Sequence, residues 1–411
     1  MTPAELSWTV LTTVRRAVAA DELRVAVPEK VVVQRPPRPG CGDYATNVAL
    51  QLAGAAGRSP YEVAAILAPR LAREPGIAQV EIAGAGFLNI TLSARAYADV
   101  VRQVREQGPA YGRGDGLAGQ HVTVVPAGER GGPPALRARV VAEAVNALLR
   151  ATGARPGGPS EPLRVAEPEP APKPEPDTAA PGGASALPAA VPGGTSALPA
   201  PASGECAPAG VPGGTSASAA VPGGPSAAAP APGECAPAAA PGPDPGPDPG
   251  PDLGPDELRW ALLRPPGEDV PRLDRGLLAQ REANPLFRVR YAHARTRALL
   301  RNAHDLGVRI ESPASDDPYR HPAETELLGL IADFPRVVET AARRRAPDRL
   351  ARHLERLADA YLRFQDECPV LPKGDEKPSA VHAARARLAD ATGIVLADGL
   401  HLLGISAPHH L

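Results

Sequence analysis

The chain has 411 residues, enough for two or three domains at roughly 100–200 residues each. Its 44 Lys and Arg against 46 Asp and Glu leave a formal charge of -2, which excludes a strongly basic nucleic-acid arm or a strongly acidic tail as the dominant feature. Cys41, Cys206, Cys235 and Cys368 are too scattered for metal ligation or a disulfide framework, and no apolar run reaches the roughly 18 residues of a membrane span.

At the N-terminus, acidic Glu5 comes early and Arg15 and Arg16 late. That is the wrong order for a secretory signal, so the expected compartment is cytoplasmic. Leu6, Val10, Leu11, Val14 and Val18 predict a helix over residues 5–20. Lys30–Gln34 is a short β-rich run, and Tyr44–Gly57 reads as a helix closed by Gly57. Ser59 and Pro60 suit the cap and first position of a further helix. Ile77–Ile82 and Phe87–Leu92 alternate as strands, joined by the hairpin signal Ala83-Gly84-Ala85-Gly86. A helix over Ala94–Glu106 completes an α+β N-terminal domain, residues 1–115, with helices on one face of an antiparallel sheet.

From about Gly157 to Asp252 the composition turns to Pro, Ala, Gly and Ser, with near-copies such as Val191-Pro-Gly-Gly and Val211-Pro-Gly-Gly. Such a stretch cannot bury enough apolar surface to offset roughly 1–2 kcal/mol of backbone entropy per residue. A long disordered Pro/Ala/Gly linker over 157–252 is expected, with Cys206 and Cys235 as incidental thiols. Beyond it, residues 253–411 carry almost no strand signal. Asn284–Asn302, Glu324–Ala332, Pro335–Arg344, Asp348–Glu367 and Ser379–Leu403 all show a 3.6-residue apolar period, predicting an all-α C-terminal helical bundle.

Several long strings, in order, carry a resemblance. Gly42–Leu71 and Val80–Ser93 resemble the N-terminal additional domain of arginyl-tRNA synthetases. Asp256–Pro266, Asn284–Leu300 and Asp398–Leu411 resemble the same family's C-terminal anticodon-binding domain, named for an Asp-Ala-Leu-Arg motif that here reads Asp256-Glu257-Leu258-Arg259. His121–Pro126 and Ala135–Gly153 read as the first strand and helix of the family's catalytic domain, a remnant over 116–156. In the family the H-I-G-H signature would fall between them; here that register holds Gly131-Gly132-Pro133-Pro134, and no K-M-S-K-S-like loop follows. The resulting expectation is a protein that is not an enzyme, with no catalytic residues, metal or cofactor.

What the resemblance implies is binding to tRNA, expected to be arginine-accepting, at elbow and anticodon. Single-stranded loops are read by stacking bases on aromatic and Arg planes. Arg288, Tyr291, His293 and Arg295 on the Asn284 helix, with Leu411 at the terminus, are the anticodon candidates. The other reading of His293 is packing against a neighbouring helix. Asp43, Tyr44, Asn47, Phe87 and Asn89 are the elbow candidates, Asp43 having a helix cap as its alternative. Asp256 and Arg259 are expected to support the domain interior or an interdomain contact. Competing functions are a module that docks on and modulates a genuine arginyl-tRNA synthetase, and a residual arginine-tRNA ligase. No membrane partner is expected.

Overall fold

Helix α1 (Pro3–Ala19) opens with a capping box: the Thr2 hydroxyl accepts from Glu5 N, and the Glu5 carboxylate accepts from Thr2 N at 2.7 Å. Helices α2 (Val48–Ala56), α3 (Pro60–Leu71) and α4 (Ala94–Gln107) follow. Gly57 takes the left-handed conformation that closes α2, and Ser59 with Glu62 builds a second capping box on α3. Strands β1 (Val33–Gln34), β2 (Tyr44–Thr46), β3 (Ile77–Ala83) and β4 (Phe87–Leu92) form one antiparallel sheet in the order β1-β2-β4-β3. Leu88, Ile90 and Leu92 of β4 are buried, while Phe87, Asn89 and Thr91 alternate onto the other face.

This is the expected α+β domain with one correction. Tyr44–Thr46, read as the start of a helix, is a strand paired Tyr44↔Ile90 and Thr46↔Leu88. Its backbone is claimed by β4, and the Thr46 hydroxyl donates to Val32 O at 2.9 Å. Apolar periodicity cannot separate three extended residues from the helix that follows.

The computed structural model describes residues 1–36, 41–127, 135–168, 253–311 and 319–410. Gly131–Pro134, Cys206, Cys235, Leu411 and the expected linker from residue 169 onward lie outside the described residues.

Strand β5 (His121–Pro126), helix α5 (Leu136–Ala151) and strand β6 (Arg155–Leu163) form a βαβ unit with parallel strands. The Asn146 amide on α5 bonds both Val124 N (3.0 Å) and Val124 O (2.7 Å), fastening the helix to β5. The expected linker start at Gly157 is therefore corrected: residues 157–163 belong to β6, with 160–163 laddered to β5 past a register shift. Gly158, at φ 75°, lies so close to the His121 carbonyl that a Cβ would collide with it. The Arg137 guanidinium is fully buried and donates to the carbonyls of Leu262 (3.1 Å), Asp269 (2.6 Å), Pro265 (3.1 Å), Pro266 (2.8 Å) and Ala166. The Glu167 carboxylate accepts from the free N–H groups of Arg137 and Ala138, where the dipole of α5 favours an anion.

The bundle comprises α6 (Pro255–Leu263), α7 (Pro285–Asp305), α8 (Pro322–Arg344), α9 (Asp348–Glu367) and α10 (Ala380–Leu402). Leu350, Leu354, Leu357, Tyr361 and Phe364 form the buried stripe of α9. The two helices expected around Pro335 are one, α8, with Pro335 inside it. Proline has no N–H for the carbonyl four residues back, which is that of Ile331. The Tyr111 hydroxyl donates to that carbonyl instead, at 3.3 Å, so the break in the helix ladder is filled by the N-terminal domain.

The N-terminal domain, βαβ unit and bundle belong to one compact unit. Arg105 of α4 bonds Asp390 of α10 at 2.9 Å and Glu311 at 3.0 Å. Arg336 donates to Val33 O at 3.1 Å, and the Tyr111 ring stacks on Phe334 at 6.4 Å. The parts on either side of the expected linker thus touch directly.

Candidate nucleic-acid interface

The sequence starts α7 with Asn284, whose side chain accepts from Leu286 N and Phe287 N and donates to Leu277 O (2.7 Å) and Ala279 O (2.9 Å). That cap fixes the helix register. Val289, Ala292, His293 and Thr296 are buried, while residues spaced by four form an outer ladder. Phe287 stacks on Tyr291 with centroids 5.7 Å apart and planes 18° from parallel, and the Arg295 guanidinium carbon lies 5.9 Å from the Tyr291 centroid. Tyr291 and Arg295 are exposed. The ladder brings an aromatic ring and a guanidinium over it to the surface, the side-chain types on which unstacked bases stack.

The structure separates the remaining anticodon candidates. Arg288 pairs with Asp359 of α9 at 3.3 Å and leaves its buried Nε without a hydrogen-bond partner. His293 is 1 % exposed. Its Nδ1 lies 2.9 Å from Pro408 O, and burial lowers its pKa to about 4. It anchors the C-terminal tail through Pro408. The same tail brings His409 to 5.8 Å from the His293 ring. Phe287 was missed by sequence reasoning; its place four residues before Tyr291 was the available signal.

The Asp256-Glu257-Leu258-Arg259 motif fastens this site. Arg290 of α7 bonds Asp256, Glu257 (2.8 Å) and Ser406 Oγ (3.0 Å). Arg259 donates to Leu403 O at 2.6 Å and to Glu143 of α5 at 2.9 Å. These ties match the expected supporting role of Asp256 and Arg259.

On the N-terminal domain, Phe87 is exposed and Asn89 half-buried, both on the outer face of β4. Asn47 sits half-buried at the cap position of α2, with no side-chain bond to that helix. Tyr44 is 1 % exposed, and burial raises its pKa. Asp43 is no helix cap: its carboxylate accepts from Leu92 N at 2.7 Å. Asp43 and Tyr44 therefore build the sheet rather than its surface. Tyr61, unremarked in the sequence, is exposed on α3, where Gly86 of the hairpin abuts Pro60.

The described residues thus combine an α+β domain, a βαβ unit and a helical bundle that carries an aromatic–arginine ladder. The arginyl tRNA synthetase N terminal domain family matches residues 10–92, and the DALR anticodon binding domain family matches residues 289–411. An arginine–tRNA ligase of Frankia alni is 32% identical over 552 residues, covering 100% of both chains. One of Clavibacter sepedonicus is 44% identical over 157 residues, 38% of this chain and 28% of that one. The solved arginyl-tRNA synthetase of Thermus thermophilus shares the fold at a TM-score of 0.57 and 13% identity, covering 100% of both chains. The chain belongs to the arginyl-tRNA synthetase family.

The expectation that the chain is not an enzyme is corrected by these relatives. Proteins named as arginine–tRNA ligases align with it end to end, at 30–32% identity. That expectation rested on the absence of the H-I-G-H and K-M-S-K-S motifs and of most of the catalytic domain; Gly131–Pro134, where the first motif would fall, lie outside the described residues. The Frankia alni comparison spans 552 residues and this chain has 411, so at least 141 positions of it have no counterpart here. Among the described residues no helix is long and apolar enough to cross a membrane.

Proposed function

We propose that this protein binds arginine-accepting tRNA, taking the anticodon loop on the α7 ladder and the tRNA elbow on the outer face of β4. The observation that carries the reading is the Phe287–Tyr291–Arg295 ladder, whose exposed members Tyr291 and Arg295 lie at the start of the matched anticodon-binding region. The amino-acid identity of the tRNA is taken from the relatives' names. Filter binding of the full chain to an arginine-accepting transcript tests it, with an unrelated tRNA as competitor. Tighter binding to the arginine acceptor supports the proposal; equal binding to both contradicts the specificity.

The end-to-end match to ligases favours a second reading, that the chain takes part in joining arginine to tRNA. The test is incorporation of labelled arginine into tRNA with ATP present. Charging above the protein-free level supports this reading, and none contradicts it.

A further inference from the structure

A second charged surface lies apart from α7. The segment after β6, the segment after α6, the last two turns of α8 and the first turns of α9 enclose a cleft of about 1330 Å³. That exceeds the roughly 300–1,000 Å³ typical of small-molecule sites. Nine arginines line it against three carboxylates, Glu268, Asp348 and Glu355. Some of these cations are committed: Arg264 pairs with Glu355 at 2.9 Å, Arg345 with Glu161 at 2.8 Å, and Arg137 serves backbone carbonyls. Arg164, Arg344, Arg349 and Arg356 are exposed and form no ion pair among the described residues. Arg349, Arg352 and Arg356 share one face of α9, a stripe about 10 Å long at 1.5 Å per residue.

We propose that this cleft holds a stretch of RNA phosphodiester backbone without reading its sequence. Unpaired guanidinium groups supply charge and forked donors for phosphate oxygens. No aromatic or histidine side chain lines the cleft. A base entering it meets no aromatic ring, while the forked guanidinium donors match phosphate oxygens, which favours the backbone as the group recognised. The two surfaces divide the work, with base stacking on α7 and phosphate neutralisation here. Deepening the tRNA-binding proposal, this inference rests on it.

The test is binding of the full chain to an arginine-accepting transcript across a salt series. Each phosphate neutralised contributes about 0.7–0.9 to the slope of log K against log salt. Arg349→Glu combined with Arg356→Glu is expected to flatten the slope by about 1.5–2 and to weaken low-salt binding roughly ten- to hundredfold. The loss is expected to be equal for arginine-accepting and unrelated tRNA. Singly, Arg349→Gln and Arg356→Gln each flatten the slope by about one, and the Lys variants preserve it, which excludes a folding defect. Unchanged slope and affinity in the double Glu variant, while the wild type binds, overturns the cleft proposal alone. A wild type that binds no tRNA overturns both proposals.

Discussion

At the scale of single residues, the candidate site is built from side chains whose neighbours leave them one task. Tyr291 stacks on Phe287 and carries the Arg295 guanidinium over its ring, yet stays 37 % exposed on the outside of α7. Tyr291→Ala is expected to weaken binding of an anticodon stem-loop by about 1–3 kcal/mol, the cost of one lost stacking plane. The unfolding midpoint should move little, because the ring is exposed. His293 behaves in the opposite way. Burial holds its folded-state pKa near 4, below the ordinary 6.5, with Arg297, His401 and His409 adding positive charge nearby. Its depressed value contributes stability that is full above about pH 6.5 and lost as pH falls towards 4. Urea midpoints should drop by an amount equivalent to about 1–3 kcal/mol across that window, and less in His293→Gln. The sequence placed both residues on α7. Which of the two faced water depended on the tail folding back to Pro408, a contact over a hundred residues away that periodicity does not encode.

At the scale of elements, local chemistry was the readable part. Gly57, Ser59 with Pro60, and the Ala83–Gly86 hairpin signal sit where their own side chains or missing side chains require. The long amphipathic helices of the bundle were equally readable. What stayed hidden was settled by distant partners. Strand β2 exists because β4 offers it a ladder, and α8 runs through Pro335 because Tyr111 supplies the missing donor to Ile331 O. Tyr111→Phe leaves that buried carbonyl unpaired and is expected to cost about 1–3 kcal/mol in urea unfolding. Pro335→Ala restores an N–H to the helix. In that background Tyr111→Phe should cost markedly less, and equal costs in the two backgrounds would show that the two residues are uncoupled. The continuation of β6 into the segment read as linker has the same origin. Its Pro-Gly composition is poor strand material, and the ladder to β5 holds it, with Arg137 tying down Ala166 just beyond.

At the scale of the whole molecule, the family assignment was legible from strings of residues, but the direct packing of its N-terminal and helical parts was not. Part of that contact carries a cost. Asp398 of α10 is buried, and its Oδ2, beside Gly112, finds no hydrogen-bond partner. Burial raises its pKa to about 6 from 3.8, with Arg113 partly offsetting the shift. A raised carboxyl contributes stability that is complete below the unfolded value and lost as pH rises through the folded one. Asp398→Asn is therefore expected to raise the unfolding free energy near pH 8 by about 1–3 kcal/mol in urea titrations, with no gain near pH 4.

The central proposal is that this compact unit grips tRNA at two places through stacking and charge. Chemical footprinting of an arginine-accepting transcript bound to the full chain measures it most directly. The account predicts protection of the anticodon loop and the D-loop elbow, with the anticodon protection lost in Tyr291→Ala. A transcript equally reactive with and without the protein at both places would contradict it.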